Sequence, residues 1–143
     1  MANYMTTFAA RFGIEDFRQP ERMPNTRRAL ALAEVARDEG KLDAYRSRAM
    51  EAHWKDGMNL EDDDDLRAIA HEVGLTTDAV ERSHSDRQYL GRVDATREES
   101  ERIGVQGIPT FVIGRSGLSG CQPYEILAEF VTSAGARRRH AER

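Results

Sequence analysis

The chain has one thiol, Cys121, in 143 residues. Dithiol exchange needs an attacking sulfur and a resolving one, so a single cysteine cannot run it, nor close an internal disulfide. Cys121 carries two readings. It is a small buried residue, as free cysteine often is, or a reactive thiol near a helix start, able to form a mixed disulfide. The four histidines do not build a metal site: His53 and His71 fall on helices, His84 near a helix end and His140 in the tail, with no two at ligand spacing. No metal and no cofactor is expected. The acidic run Glu61-Asp62-Asp63-Asp64-Asp65 lacks the alternation and the glycine of a calcium loop. It reads as the solvated start of a helix, where carboxylates meet free N–H groups. No phosphate-binding glycine loop and no serine-hydrolase elbow is present.

The stretch poorest in charge and densest in glycine is Gly104-Val105-Gln106-Gly107-Ile108-Pro109-Thr110-Phe111-Val112-Ile113, followed by Gly114-Arg115-Ser116-Gly117-Leu118-Ser119-Gly120 and Cys121-Gln122-Pro123-Tyr124. Thr110–Ile113 is β-branched and aromatic and predicts a buried strand. Gly114–Gly117 supplies turn residues, and Leu118 and Ser119 form the returning strand. Pro109 either opens an edge strand or holds a cis peptide in a tight loop. Pro123 suits the first turn of a closing helix, whose apolar face is Tyr124, Leu127, Ala128 and Val131.

The rest of the chain reads as helices. Tyr4, Met5, Phe8, Ala9 and Phe12 share one face up to Gly13, and Pro20 and Pro24 bracket an extended stretch. Asn25 or Thr26 caps a helix through Glu39 with Ala29, Leu32, Val35 and Ala36 inward. Lys41–Asp56 is one helix with Leu42, Tyr45, Ala49, Ala52 and Trp54 inward, stopped by Gly57. Leu66, Ile69, Ala70 and Val73 mark the next. Thr76-Thr77-Asp78 starts a short one to about His84. The last of the series runs from about Asp86 to Ile103, with Tyr89, Leu90, Val93 and Ala95 or Thr96 toward the core.

Composition bounds the class. Charged residues make up 32%, hydrophobic residues 39% and aromatic residues 7%, which describes a globular protein with a wet surface and an aliphatic core. The net charge of −4 gives no basic field for nucleic acid, although Arg137, Arg138 and Arg139 cluster in the tail. No apolar run spans a membrane, and the N-terminus lacks the basic-then-apolar layout of a signal peptide, which points to the cytoplasm.

The pattern Gly104, Gly107, Ile108, Pro109, Thr110, Phe111, then Gly120, Gln122 and Pro123, resembles the C-terminal half of a DsbA-like thioredoxin domain, closest to the FrnE-like branch. Asn25 and Thr26 resemble the start of that family's helical insertion. The resemblance implies a mostly α fold (the helical insertion) with a C-terminal β-hairpin and helix, a truncated DsbA/thioredoxin-like α/β fold. It implies a single domain over 1–143: a helical part over about 1–103, the proline loop, hairpin and helix over 104–134, and a basic tail over 135–143. By the same resemblance Pro109 is a cis-proline beside a redox site, and Gly107, Ile108, Pro109 and Thr110 contact a peptide or a protein thiol. Cys121 stands where the family has alanine. The family's Cys-x-x-Cys and its flanking strands have no counterpart in this sequence, so thiol–disulfide oxidoreductase activity by this chain alone is not expected. The strand Thr110–Ile113 then lacks a neighbour, and an exposed apolar edge invites another chain. A homodimer through it, giving a four-stranded sheet, is expected. Two alternatives stand beside the oxidoreductase reading: a non-enzymatic dimeric helical interaction module, and a relative of the glutathione-dependent isomerases and transferases of this fold.

Overall fold

The structure, a computed structural model, describes residues 2–11, 13–16, 18 and 23–137, with only the backbone for Ala2 and Asn3. Phe12, Pro20, Arg138, Arg139 and His140, which figure in the sequence expectations, lie outside the described residues. The chain divides into two compact units, Met1–Thr96 and Arg97–Arg143.

The first unit is built from helices: α1 (Ala2–Ala10), α2 (Arg27–Asp38), α3 (Leu42–Glu51), a π-helical turn (Ala52–Asp56), α4 (Asp63–Glu72), α5 (Thr77–Ser85) and the start of α6 (Arg87–Arg102). The expected stripe of α2, Ala29, Leu32, Val35 and Ala36, is buried, because residues at i, i+3 and i+4 share a face. Ala31, off that stripe, is buried as well. Helix α2 packs against both α3 and α5, so cover reaches round more than one side of it. Leu66, Ile69 and Ala70 of α4, Leu75 of the connection, and Ala79 and Val80 of α5 complete the core. Tyr45 of α3 lies within it at 2% exposure. Its hydroxyl donates to the Ala29 carbonyl at 3.0 Å, and burial raises the phenol pKa well above its usual value.

Local chemistry sets the helix ends. The Asp62 carboxylate accepts from the N–H groups of Asp64 at 2.9 Å and Asp65 at 3.1 Å, so the acidic run is a capped helix start. Thr76 Oγ1 does the same for Ala79 N–H at 3.2 Å. At α2, Thr26 occupies the cap position without a side-chain bond. Asn25 Oδ1 accepts from Arg27 N–H at 3.1 Å instead.

Three expectations about helices are corrected. Lys41–Asp56 is not one regular helix: α3 ends at Glu51 and the π-helical turn follows, closed by Gly57 at φ +75°. The wider turn buries Ala52 and His53 and leaves Trp54 half-buried. Arg48 braces this irregularity, pairing with Asp56 at 2.8 Å and with Glu72 of α4, and it holds the Glu72 carboxyl below the usual carboxylate range. Leu42 is half-buried rather than fully inward. On α6, Tyr89 is buried and Leu90 and Val93 half-buried, but Ala95 and Thr96 are exposed. Beyond them the helix carries surface ion pairs, Arg97–Glu101 and Arg102–Glu99.

The second unit holds the end of α6, then β1 (Thr110–Ile113), β2 (Ser116–Ser119) and α7 (Tyr124–Ser133). The strands are antiparallel, with Thr110 opposite Ser119, Phe111 opposite Leu118, Val112 opposite Gly117 and Ile113 opposite Ser116. The turn is therefore the pair Gly114-Arg115, shorter than the expected Gly114–Gly117, and β2 begins at Ser116. Gly114 takes φ +61°, the backbone that a two-residue hairpin asks of glycine at its first position. Pro123 caps α7 from just outside its first turn.

None of the described residues from 97 to 137 is buried. Phe111 is 41% exposed and Val112 48%, while Tyr124 and Val131 of α7 are also exposed. The expectation of a buried strand is thus corrected. A two-stranded sheet with one helix has too few layers to enclose either face.

Candidate functional site

The uncharged segment ahead of β1 begins where α6 ends. Gly104 has φ +81°. Its N–H donates to Glu101 C=O at 3.0 Å, and Val105 N–H reaches back to Ser100 C=O at 2.9 Å. This is a glycine-terminated helix end that turns the chain toward the hairpin. The peptide between Ile108 and Pro109 is cis. Pro109 C=O accepts from Gly120 N–H at 2.8 Å, tying the loop to the residue before Cys121. Thr110 Oγ1 donates to Gly107 C=O at 2.6 Å and pairs with Ser119 Oγ at 3.1 Å. Gln122 Nε2 donates to Ser119 C=O at 2.7 Å.

Gly107, Ile108, Pro109 and Thr110 therefore form one braced corner at the base of the hairpin. At its tip Ile108 is 94% exposed. Among the described residues no backbone group bonds the Ile108 N–H or C=O. A Cβ on Gly107 would meet nothing within 4 Å, so the approach to this backbone is open. The corner can offer an extended main chain a donor, an acceptor and an apolar contact.

Cys121 is exposed, which corrects the reading of a small buried residue. It sits between Gly120, at φ +88°, and the start of α7, in a unit none of whose described residues is buried. The sequence carried no sign of the Thr110–Ser119–Gly107 brace, because residues nine apart meet only once the hairpin register is known.

The histidines are scattered. His53 is buried with Nδ1 3.2 Å from Met58 C=O, His71 is exposed and His84 half-buried. Among the described residues no group of three or more His, Cys, Asp or Glu is placed to hold a metal ion. No described helix is long and apolar enough to cross a membrane.

His84 has a more informative setting. Its Nδ1 lies 3.9 Å from Asp63 Oδ1, and that oxygen is 2.7 Å from Arg28. Burial lowers the imidazole pKa below 6.5, the nearby charges of Arg28 and Arg67 lower it further, and Asp63 partly opposes them. The unfolded chain then binds this proton more readily than the folded one. Stability is complete above the ordinary histidine value of 6.5 and is lost as pH falls from there to the lowered value. Unfolding midpoints measured across this window will decline for the native chain and flatten for His84→Gln.

Three comparisons bear on the fold and corner just described. The family model described as the DSBA-like thioredoxin domain matches residues 1–132. The uncharacterised protein YwbO of Bacillus subtilis is 25% identical over 126 residues, which are 87% of this chain and 63% of that protein. The crystal structure of a probable DsbA oxidoreductase from Streptomyces coelicolor superposes with a TM-score of 0.80 at 26% identity, over 99% of this chain and 62% of that one. The chain thus spans a little under two thirds of the length of these relatives. With the family model covering the helices, the corner and the hairpin alike, the chain belongs to the DsbA-like thioredoxin-domain family.

Proposed function

We propose that this chain is the substrate-contacting portion of a DsbA-like thiol–disulfide oxidoreductase, of the FrnE-like branch, and that it has no dithiol activity of its own. Its task is to dock an extended, cysteine-bearing segment of another protein along Gly107, Ile108, Pro109 and Thr110. The observation that carries this reading is the exposed Ile108, whose main-chain donor and acceptor are left open in a corner braced on both sides. Strand-like docking draws affinity from such main-chain groups and selectivity from neighbouring side chains. The segment Gly120-Cys121-Gln122-Pro123-Tyr124 supports the FrnE-like branch over the glutathione-dependent relatives of the fold.

The lack of dithiol activity follows from sulfur chemistry. A thiolate attacks a disulfide to give a mixed disulfide, and a second thiolate in the same protein must resolve it. With Cys121 as the sole thiol, the sequence stops at the mixed disulfide.

Titration calorimetry with an extended cysteine-containing peptide tests the docking. Ile108→Asp should weaken binding at least about tenfold, or ~1.4 kcal/mol. Equal affinity in the variant, or no binding by the native chain, would remove the docking role. In an insulin-reduction assay the chain should add nothing to the uncatalysed rate, and turnover by the native chain that is lost in Cys121→Ser would overturn its assignment as inactive.

A further inference from the structure

We propose that the hydroxyls of Thr110 and Ser119 form a directed relay that aims the Ile108 N–H, which makes both of them positioning residues of the docking corner. The purpose of the relay rests on the docking role given to Ile108, while its geometry rests on hydrogen bonds alone.

The peptide that joins Gly107 to Ile108 carries the Gly107 C=O on one side and the Ile108 N–H on the other. A peptide is planar, and in its trans form these two groups point in opposite directions. This one is trans, since the cis bond is the next along the chain. Whatever holds the Gly107 carbonyl therefore sets the direction of the Ile108 donor. Packing does not hold it, because a Cβ on Gly107 would meet nothing within 4 Å and glycine has the most backbone freedom to lose. No described backbone group bonds Gly107 either. The Thr110 hydroxyl does, at 2.6 Å. With the carbonyl drawn toward Thr110, the Ile108 N–H is turned away from it.

Chemistry fixes where the protons lie. A hydroxyl has one hydrogen to donate and two lone pairs to accept with. The Thr110 hydrogen is used on Gly107 C=O, so across the 3.1 Å contact Ser119 Oγ donates and Thr110 Oγ1 accepts. The relay runs one way, from Ser119 to Thr110 to Gly107, and each bond polarises the next. Hairpin register brings the two hydroxyls together. Thr110 stands opposite Ser119. Because Pro109 C=O takes the Gly120 N–H, theirs is a non-hydrogen-bonded pair, in which side chains stand closer. A cross-strand bond between such hydroxyls is a recurrent stabilising pair. Gln122 Nε2 donates to Ser119 C=O at 2.7 Å and fixes the far end. All of these partners lie between Gly107 and Gln122, so the relay stands whatever covers the outer faces of the unit.

Thr110→Val keeps the branched shape and removes the hydroxyl, whereas Thr110→Ser keeps the hydroxyl. In proton–nitrogen correlation spectra of the full chain, Thr110→Val should shift and broaden the Ile108 amide and leave the amides of Ile113 and Ser116 in place. Thr110→Ser should restore the native Ile108 signal. In titrations with an extended cysteine-containing peptide, Thr110→Val should lose at least about fivefold in affinity, Ser119→Ala about two- to threefold, and Thr110→Ser should stay within about twofold of the native chain. An Ile108 amide unmoved by Thr110→Val overturns the relay, whether or not the peptide binds. Movement of Ile108, Ile113 and Ser116 together would mean that the hairpin as a whole has loosened, and overturns the aiming role. Native affinity in Thr110→Val, with Ile108→Asp still weakened, overturns the relay and keeps the docking role. If the native chain takes up no peptide, the docking role fails and the spectra alone decide the relay.

Discussion

Tyr45→Ala will destabilise the helical unit by about 4 kcal/mol, as expected for truncating a fully buried aromatic side chain. Tyr45 is 2% exposed and lies among Ala29, Leu32, Ala49, Leu66 and Ile69 in the core cluster. The loss has two parts. The ring's apolar surface and the cavity it would leave account for most of it. The bond from its hydroxyl to Ala29 C=O, 3.0 Å long, accounts for about 1 kcal/mol. Tyr45→Phe isolates the smaller part, so the two substitutions should differ by roughly 3 kcal/mol. Trp54 is the sole tryptophan and belongs to the same unit, so its fluorescence during urea unfolding reports the change. Against a total stability of about 5–15 kcal/mol for an ordinary domain, the alanine variant should be close to its folding limit. A loss below about 1 kcal/mol for Tyr45→Ala would show that the side chain is not in the core.

Amide exchange will divide the chain at its two units. Amides in α2, α4 and α5 should exchange at least about a hundredfold more slowly than those of α7 and the hairpin in dilute solution. The first unit encloses the whole buried cluster, whereas no described residue from 97 to 137 is buried. Opening the hairpin and α7 therefore exposes little new apolar surface and costs little free energy. The N–H groups of Thr110 and Val112, and of Ser119 and Gly117 opposite them, point out of the two-stranded ladder and should be the fastest in the hairpin. Uniform protection across the chain would mean that the second unit is enclosed by a layer that its own residues do not supply.

Much of the helical unit could be read from residue order. The stripe Ala29, Leu32, Val35 and Ala36 announced α2, and the acidic run with Asp62 announced the start of α4. These are local signals: a spacing of three and four fixes a face, and a carboxylate finds N–H groups two and three residues ahead. The π-helical turn after Glu51 was not legible, because its i→i+5 bonding competes with an α-helix on the same good helix formers. Arg48 holds it through Asp56 and Glu72, partners 8 and 24 positions along the chain.

Within the candidate site, composition marked the uncharged, glycine-rich stretch that opens at Gly104, while the choice of Gly107, Ile108, Pro109 and Thr110 within it came from the family resemblance. Residue order by itself determined that one thiol is present, that a glycine-bounded hairpin follows a proline, and that helices precede it. Tertiary structure decided that Phe111, Val112 and Cys121 face outward and that Ile108 stands open. Exposure depends on how many layers surround a strand, and a strand's own residues do not encode that number. The apolar character of Thr110–Ile113 records a preference for cover; whether cover is provided is settled by the rest of the fold and by the chain's partners.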